Sequence, residues 1–125
     1  MFLNKPVAYL TDDDIAKDGR IINSKIPQNK PLFLMIQANF CGHCTKAKPD
    51  FQKLANDMNG QVFFATIQGD GKEAGEPVKN DKFQAITNGK FVGFPTYSMY
   101  KNGQWSEYDG KRDYNSMKQF IQSNM

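Results

Sequence analysis

Two cysteines are the residues of this chain best suited to chemistry. Cys41 and Cys44 are separated by Gly42 and His43, and the 125 residues contain no other cysteine. Residues three apart on a helix lie roughly 5 to 6 Å from each other, a separation that a disulfide accepts. The spacing therefore predicts a dithiol that opens and closes with little backbone movement.

The segments on either side of the pair predict where it lies in the fold. Residues 31–38 are a continuous apolar run, typical of a strand buried on both faces. Apolar residues then recur at spacings of three and four from Phe51 to Met58, which indicates an amphipathic helix beginning near Cys41. Unpaired amides and the positive end of the dipole at a helix start stabilise a thiolate. We therefore assign Cys41 as the nucleophile and Cys44 as the resolving thiol.

His43, between the two thiols, is predicted to tune them. An imidazolium in the same turn favours the thiolate and makes the disulfide form more oxidising. A zinc site built from Cys41, His43 and Cys44 would lack a fourth ligand in the motif and would need a nearby Asp or a second molecule. Two buried, inert cysteines are the other alternative, although a position after a buried strand argues against it. We expect no metal and no cofactor.

The rest of the chain predicts one α/β domain over residues 1–125. Thr11, with an acid three positions later, is expected to start a first helix, and Asn102-Gly103 predicts a hairpin between two strands. The expected order is β-α-β-α-β-α-β-β-α, a central mixed sheet of about five strands flanked by about four helices. We expect strands at 6–10, 31–38, 61–67, 95–100 and 104–109, and the later helices at 41–58, 78–86 and 113–124.

Composition excludes several function classes. The 16 basic and 13 acidic residues are mixed along the chain, without the basic run that tracks phosphates, so nucleic acid is not an expected partner. No apolar run approaches the roughly 18 residues that span a bilayer, so no membrane association is expected. The first ten residues lack the pattern of a secretory signal. We expect a monomer in the cytoplasm.

The residues around the dithiol resemble those of the thioredoxin superfamily. Phe-Cys-Gly-His-Cys at 40–44 looks like its active site, and Cys-Gly-His-Cys is similar to the motif of protein disulfide isomerase domains. Pro49 stands at the helix-kinking position of the family. The segment 93–96, Gly-Phe-Pro-Thr, resembles the loop whose proline is cis, and 108–112 resembles the isomerase segment whose arginine approaches the active site.

This resemblance implies a thiol-disulfide oxidoreductase of the disulfide isomerase type. Its substrates would be proteins or peptides bearing disulfides or thiols, and an unidentified redox partner would recycle it. The resemblance implies that Phe40, Gly42, Phe94 and Pro95 hold the substrate and that Arg112 lowers the pKa of a thiol. The alternative is a redox-idle, thioredoxin-like module that binds a partner beside the same loop.

The direction of disulfide transfer stays open at this point. Cys-Gly-His-Cys favours oxidation or isomerisation, whereas a chain without a signal peptide or an endoplasmic-reticulum retention tail is expected in a reducing cytosol. A viral or otherwise oxidising compartment is the alternative location, because it would reconcile the two indications.

Several positions depart from the family. Phe40 stands where the family usually has Trp, which keeps an aromatic ring and loses an N–H donor. Met35, six residues before Cys41, stands where the family usually buries an acid, and we assign the opposing position, usually Lys, to Phe64. Two apolar residues leave no buried charge there, and we expect slower proton transfer from Cys44.

Two segments are longer than the family requires. Residues 69–75 and 87–90 follow elements whose ends meet at the carboxyl edge of the sheet, where the dithiol also lies. We expect them to flank the substrate groove. A solvated spacer is the alternative for residues 69–75.

Overall fold

The computed structural model describes residues 3–70 and 78–125. The described chain forms a five-stranded mixed sheet and three α-helices. This architecture confirms the predicted α/β class. The strands are β1 (Ala8–Tyr9), β2 (Leu32–Gln37), β3 (Phe63–Gln68), β4 (Thr96–Lys101) and β5 (Gln104–Tyr108), and the helices are α1 (Gly42–Asp57), α2 (Asn80–Ile86) and α3 (Tyr114–Ser123).

The sheet has the strand order β1-β3-β2-β4-β5. β2 lies at its centre with all six residues buried, as its continuous apolar run predicts. β1 and β2 pair with β3 in parallel, while β4 runs antiparallel to β2. The β4–β5 hairpin turns at Asn102 and Gly103, whose φ angles of 54° and 79° suit a two-residue turn.

The first predicted helix is not an α-helix. Thr11 and Asp14 form the expected cap, with the Thr11 amide donating to Asp14 Oδ2 at 2.8 Å, but only one 3₁₀ turn follows, over Asp12–Asp14. Ile15 is already extended and pairs with Ile21 in an isolated bridge. Ile15, Ile21 and Ile26 of this segment are buried in the core on one face of the sheet, so the capping signal starts a single turn and no α-helix. Three α-helices therefore flank the described sheet where about four were expected.

Each face of the sheet carries its own core. On one face, α1 and α3 contribute Phe51 and Met117 to a cluster that also contains Cys44. On the other face, Phe83 of α2 packs with Ile21 and the neighbouring extended segment. The dithiol helix therefore lies over the centre of the sheet. Within residues 3–70 and 78–125, no helix is long and apolar enough to cross a membrane.

Candidate active site

The two cysteines lie at the start of α1, directly after β2. Cys41 is the N-cap residue and is partly exposed, whereas Cys44 is fully buried one turn later. Both are free thiols, and the Cys44 amide donates a hydrogen bond to Cys41 Sγ at 3.1 Å. The sulfur of Cys41 is thus held by a helix-terminal amide, the environment that stabilises a thiolate.

The two thiols have different electrostatic surroundings. Burial, followed by a hydrogen bond with the Cys41 side chain, raises the pKa of Cys44 to about 12. A backbone hydrogen bond from Ala38 and the charge of Lys48 act in the opposite direction on this pKa. The pair therefore combines a partly exposed sulfur at Cys41 with a buried, protonated thiol at Cys44.

The loop before β4 closes over the dithiol. The Phe94–Pro95 peptide is cis, and the Phe94 carbonyl oxygen lies 3.5 Å from Cys41 Sγ, which donates to it. The Phe94 ring meets Phe40 edge to face at a centroid distance of 5.8 Å. Phe40 is 68% exposed and is available to a partner, whereas Pro95 itself is buried in the free chain.

A glycine makes room for this loop. A Cβ at Gly69 would lie 2.5 Å from the Phe94 ring, so a side chain there would displace the ring. Gly69 also donates its amide to the Gln37 carbonyl at 2.7 Å, which continues the pairing of β2 and β3. The rest of the segment expected to flank the groove, residues 71–75, lies outside the described residues.

Asp70 anchors the segment that leads into Cys41. Its carboxylate oxygens accept hydrogen bonds from the Asn39 amide, each at 3.0 Å, and from the Phe40 amide at 3.3 Å. Burial alone would raise the pKa of Asp70. The hydrogen bonds from Asn39, Phe40 and Gln68 outweigh this effect, so the pKa lies below its ordinary value. An ionised carboxylate therefore fixes the backbone just before the nucleophile.

The other predicted site residues are distributed around the dithiol. Gly42 and His43 are exposed in the first turn of α1, between the two thiols. Arg112 is exposed and, with Pro95, lines a cavity of about 450 Å³ next to the cis peptide. Thr87 and Lys90, the ends of the second segment expected to flank the groove, line the same cavity.

The strand register corrects one assignment. Met35 lies opposite Thr66 on β3, whereas Phe64 lies opposite Phe33, so Phe64 was wrongly assigned as the partner of Met35. The Thr66 hydroxyl donates to the Met35 carbonyl at 2.7 Å. Met35 and Thr66, which lie opposite each other, therefore place no charge under the dithiol, although Thr66 is polar. A shift of two residues went undetected because strand alternation keeps both positions on the same face.

Three residues of the site were not predicted from the sequence. Lys48 is 1% exposed on the face of α1 that also carries Cys44, and its Nζ lies 3.4 Å from Asn39 Oδ1. Its burial could have been predicted from the sequence, because Lys48 follows Cys44 by four residues and so lies on the same face of the helix as the apolar positions. Asp70 follows a parallel strand at the edge where active sites lie. Tyr97, which is 2% exposed, looked like an ordinary core aromatic.

This site and this fold define a class of protein: a thioredoxin-fold domain with a dithiol at the start of its main helix and a cis-proline loop beside it. The Thioredoxin family model matches residues 18–123. The chain belongs to the thioredoxin family.

Two relatives illustrate its similarity to known proteins. A protein described as thioredoxin-like, 453L of Invertebrate iridescent virus 6, is 41% identical over 133 residues, covering 96% of this chain and 95% of that protein. Protein disulfide-isomerase 2-3 of Arabidopsis thaliana is 27% identical over 118 residues, covering 94% of this chain. That match covers only 23% of the isomerase, so this chain is similar to one part of that longer protein.

Solved structures show the same fold. The first thioredoxin domain of mouse protein disulfide-isomerase A4 superposes with a TM-score of 0.69 at 19% identity, covering 98% of this chain and 77% of that one. The Trx4 domain of ERdj5 gives a TM-score of 0.66 at 17% identity, covering 97% and 96% of the two chains. At these identities the likeness concerns the fold alone.

Proposed function

We propose that this chain exchanges disulfides with protein substrates through Cys41 and Cys44. The observation that carries the proposal is the asymmetry of the pair: a partly exposed sulfur held by a helix amide at 3.1 Å, with a buried thiol one turn behind it. An exposed thiolate reaches a substrate disulfide, and a buried thiol is shielded from it.

The exchange has two steps. The Cys41 thiolate attacks a substrate disulfide, so that a mixed disulfide forms and one substrate thiolate leaves. Cys44 then loses its proton to solvent and attacks the Cys41 sulfur, which forms the Cys41–Cys44 disulfide and releases the second substrate thiolate. The substrate is reduced and the chain is oxidised; the reverse sequence oxidises a substrate dithiol.

The surface beside Cys41 fits an extended protein segment. Phe40 and Phe94 form an apolar edge next to the sulfur, and the Phe94 carbonyl oxygen lies 3.5 Å from Cys41 Sγ. An approaching strand would pair with backbone groups of this loop, as extended peptides pair with exposed sheet edges elsewhere. His43 and Arg112 would then tune the thiols from the exposed side.

The experiment that tests this function is the reduction potential of the pair. The protein is equilibrated with mixtures of reduced and oxidised glutathione, and free thiols are trapped and counted. A reversible two-electron curve supports disulfide exchange, and a value near about −270 mV indicates a reductant whereas about −180 mV indicates an oxidant or isomerase. The same value tests the cytoplasmic location, which remains a proposal, because a reductant suits the cytosol.

The exposed aromatic edge favours a second candidate, a redox-idle module that binds a partner beside Pro95. Phe40 exposes 68% of its surface beside the Phe94 ring, so an apolar side chain is available there to a partner. Cys41→Ser separates the two functions, because an oxidoreductase loses disulfide exchange whereas a binding module keeps its partner. A chain without any reversible redox curve would leave only the binding module.

A further inference from the structure

Tyr97 carries a buried hydroxyl that neither the packing nor the mechanism so far uses. The side chain is 2% exposed on β4, and its hydroxyl has no hydrogen-bond partner among the described residues. An unpaired buried hydroxyl destabilises the folded state relative to a paired one. A phenylalanine would fill the same space without this cost, so the hydroxyl calls for an explanation.

Tyr97 lies in the part of the core that also holds Cys44. It lies directly opposite Met35 in the β2–β4 register and belongs to the same core cluster as Cys44. Its ring stacks on Phe33 with a centroid distance of 5.8 Å, which holds the side chain under α1. Besides burial, a thiolate at Cys44 raises the pKa of Tyr97, so the two groups interact electrostatically.

The remaining groups that face the hydroxyl come from three elements. Asp50 of α1, Tyr108 of β5 and Arg112 before α3 act on it electrostatically, in addition to Cys44. Burial is the largest influence and raises the pKa of Tyr97 above its ordinary value. The phenol is therefore neutral at physiological pH and acts as a hydrogen-bond donor.

We propose that the Tyr97 hydroxyl donates a hydrogen bond to the Cys44 thiolate that forms when a mixed disulfide is resolved. This inference rests on the proposed function, because it assigns a positioning residue to its second step. In the resting state Cys44 is a neutral thiol, and the hydroxyl is unpaired within the described part of the chain. When Cys44 ionises, the unpaired hydroxyl of the same core cluster turns to the thiolate, in a buried setting where a hydrogen bond to a charge is strong.

A cavity that can hold water lies beside Tyr97. Tyr97, Pro95 and Arg112 line the cavity of about 450 Å³, which is large enough for several water molecules at about 30 Å³ each. The proton of Cys44 leaves to solvent, after which the S–S bond between Cys41 and Cys44 forms and the bond between Cys41 and the substrate breaks. The departing substrate sulfur carries the electron pair.

The test measures the two steps separately with dithionitrobenzoate at one equivalent per protein. Attack by Cys41 releases a first coloured thiolate, and attack by Cys44 on the mixed disulfide releases a second. In Tyr97→Phe the first release is expected at the wild-type rate. The second release is expected to be about three- to tenfold slower, because the Cys44 thiolate loses one hydrogen bond. The less stabilised thiolate is also more basic and more nucleophilic, which offsets part of this loss. Its rate–pH profile is expected to move to higher pH.

Stability separates this role from a structural one. Because Tyr97→Phe removes an unpaired buried hydroxyl, its thermal midpoint is expected to equal or exceed that of the wild type. Tyr100→Phe is the matched control: it lies on the same strand, packs in the cluster of the other face, and its hydroxyl accepts from the Ile21 amide. This control is expected to lose stability and to keep both rates.

A second measurement keeps the inference testable if Tyr97→Phe folds poorly. Fluorotyrosine at position 97 has a more acidic phenol and donates more strongly, so the second release is expected to become faster. A second release that is unchanged in both variants overturns the inference while leaving the proposed function intact. A wild-type protein that gives no second release overturns the proposed function itself.

Discussion

Replacing Lys48 with methionine is expected to slow the attack of Cys44 on a mixed disulfide about threefold at neutral pH. Burial raises the pKa of the Cys44 thiol, and the charge of Lys48, one helical turn away, works against that effect. Lys48 is 1% exposed, so solvent screens its charge little. Methionine has a similar length and no charge, and it fits a buried position.

The magnitude comes from helix geometry. Residues four apart have Cβ atoms about 5 to 6 Å apart. Two unit charges about 6 Å apart attract by roughly 0.7 kcal/mol in water and roughly 3 kcal/mol at an effective dielectric constant of about 20. A middle value of about 1.4 kcal/mol is one pKa unit, or about tenfold less thiolate. The thiolate of a thiol with a higher pKa is more nucleophilic, with a Brønsted coefficient of about 0.4 to 0.5. This gain offsets part of the lower thiolate fraction, so the rate of attack by Cys44 falls about threefold.

The assay is the second release of coloured thiolate from dithionitrobenzoate, with Lys46→Met as the matched control. Lys46 lies on the same helix and is exposed, so its removal is expected to leave the rate unchanged. The thermal midpoint of Lys48→Met is expected to stay level or to rise, because a buried charge is exchanged for an apolar group. Equal rates in Lys48→Met and wild type, or equal slowing by both substitutions, would refute this reasoning.

Two further substitutions test the surroundings of the dithiol. Met35→Glu introduces a carboxylate into the core cluster of Cys44 and is expected to accelerate disulfide exchange at neutral pH, with some loss of stability; an unchanged exchange rate would contradict the proposed proton bottleneck. Asp70→Asn weakens the acceptor of the Asn39 amide and is expected to cost about 1 kcal/mol in denaturant unfolding at pH 7. The pKa of Asp70 is lowered in the folded state, so the wild type loses this stabilisation as the pH falls through that pKa. The difference in the free energy of unfolding between the wild type and Asp70→Asn should therefore disappear in acid.

Local patterns predicted the elements whose burial or backbone conformation is set by residues close together in the chain. The apolar run of β2 and the three-four spacing of α1 each report burial directly, and the Asn-Gly turn sets its own backbone conformation. The capping box at Thr11 is equally local, yet it does not specify the conformation of the residues after the first turn. The extended isoleucines there are held by packing on the sheet, which no short-range pattern encodes.

The site was predictable to the extent that it is a motif. Cys41 and Cys44 are three residues apart in the chain, and their roles follow from the end of a helix. The partner of Met35 depends instead on the register between two strands, and alternation makes Phe64 and Thr66 equivalent in pattern. The contact of Tyr97 with the surroundings of Cys44 joins residues more than fifty positions apart, and only the fold brings them together.

The charges around Cys44 determine how its reactivity varies with pH. A buried carboxylate beside a resolving thiol acts as a base and titrates, so the rate of resolution levels off above its pKa. Here Met35 and Thr66 supply no such base, and Tyr97 stays protonated because burial raises its pKa. The resolution rate is therefore expected to rise continuously with pH through the neutral range, as the thiolate fraction of Cys44 rises toward a pKa of about 12. A plateau in the stopped-flow rate of the second release between about pH 6 and pH 9 would show that another titrating group accepts the proton of Cys44. Met35→Glu is expected to create such a plateau, which the wild type is expected to lack.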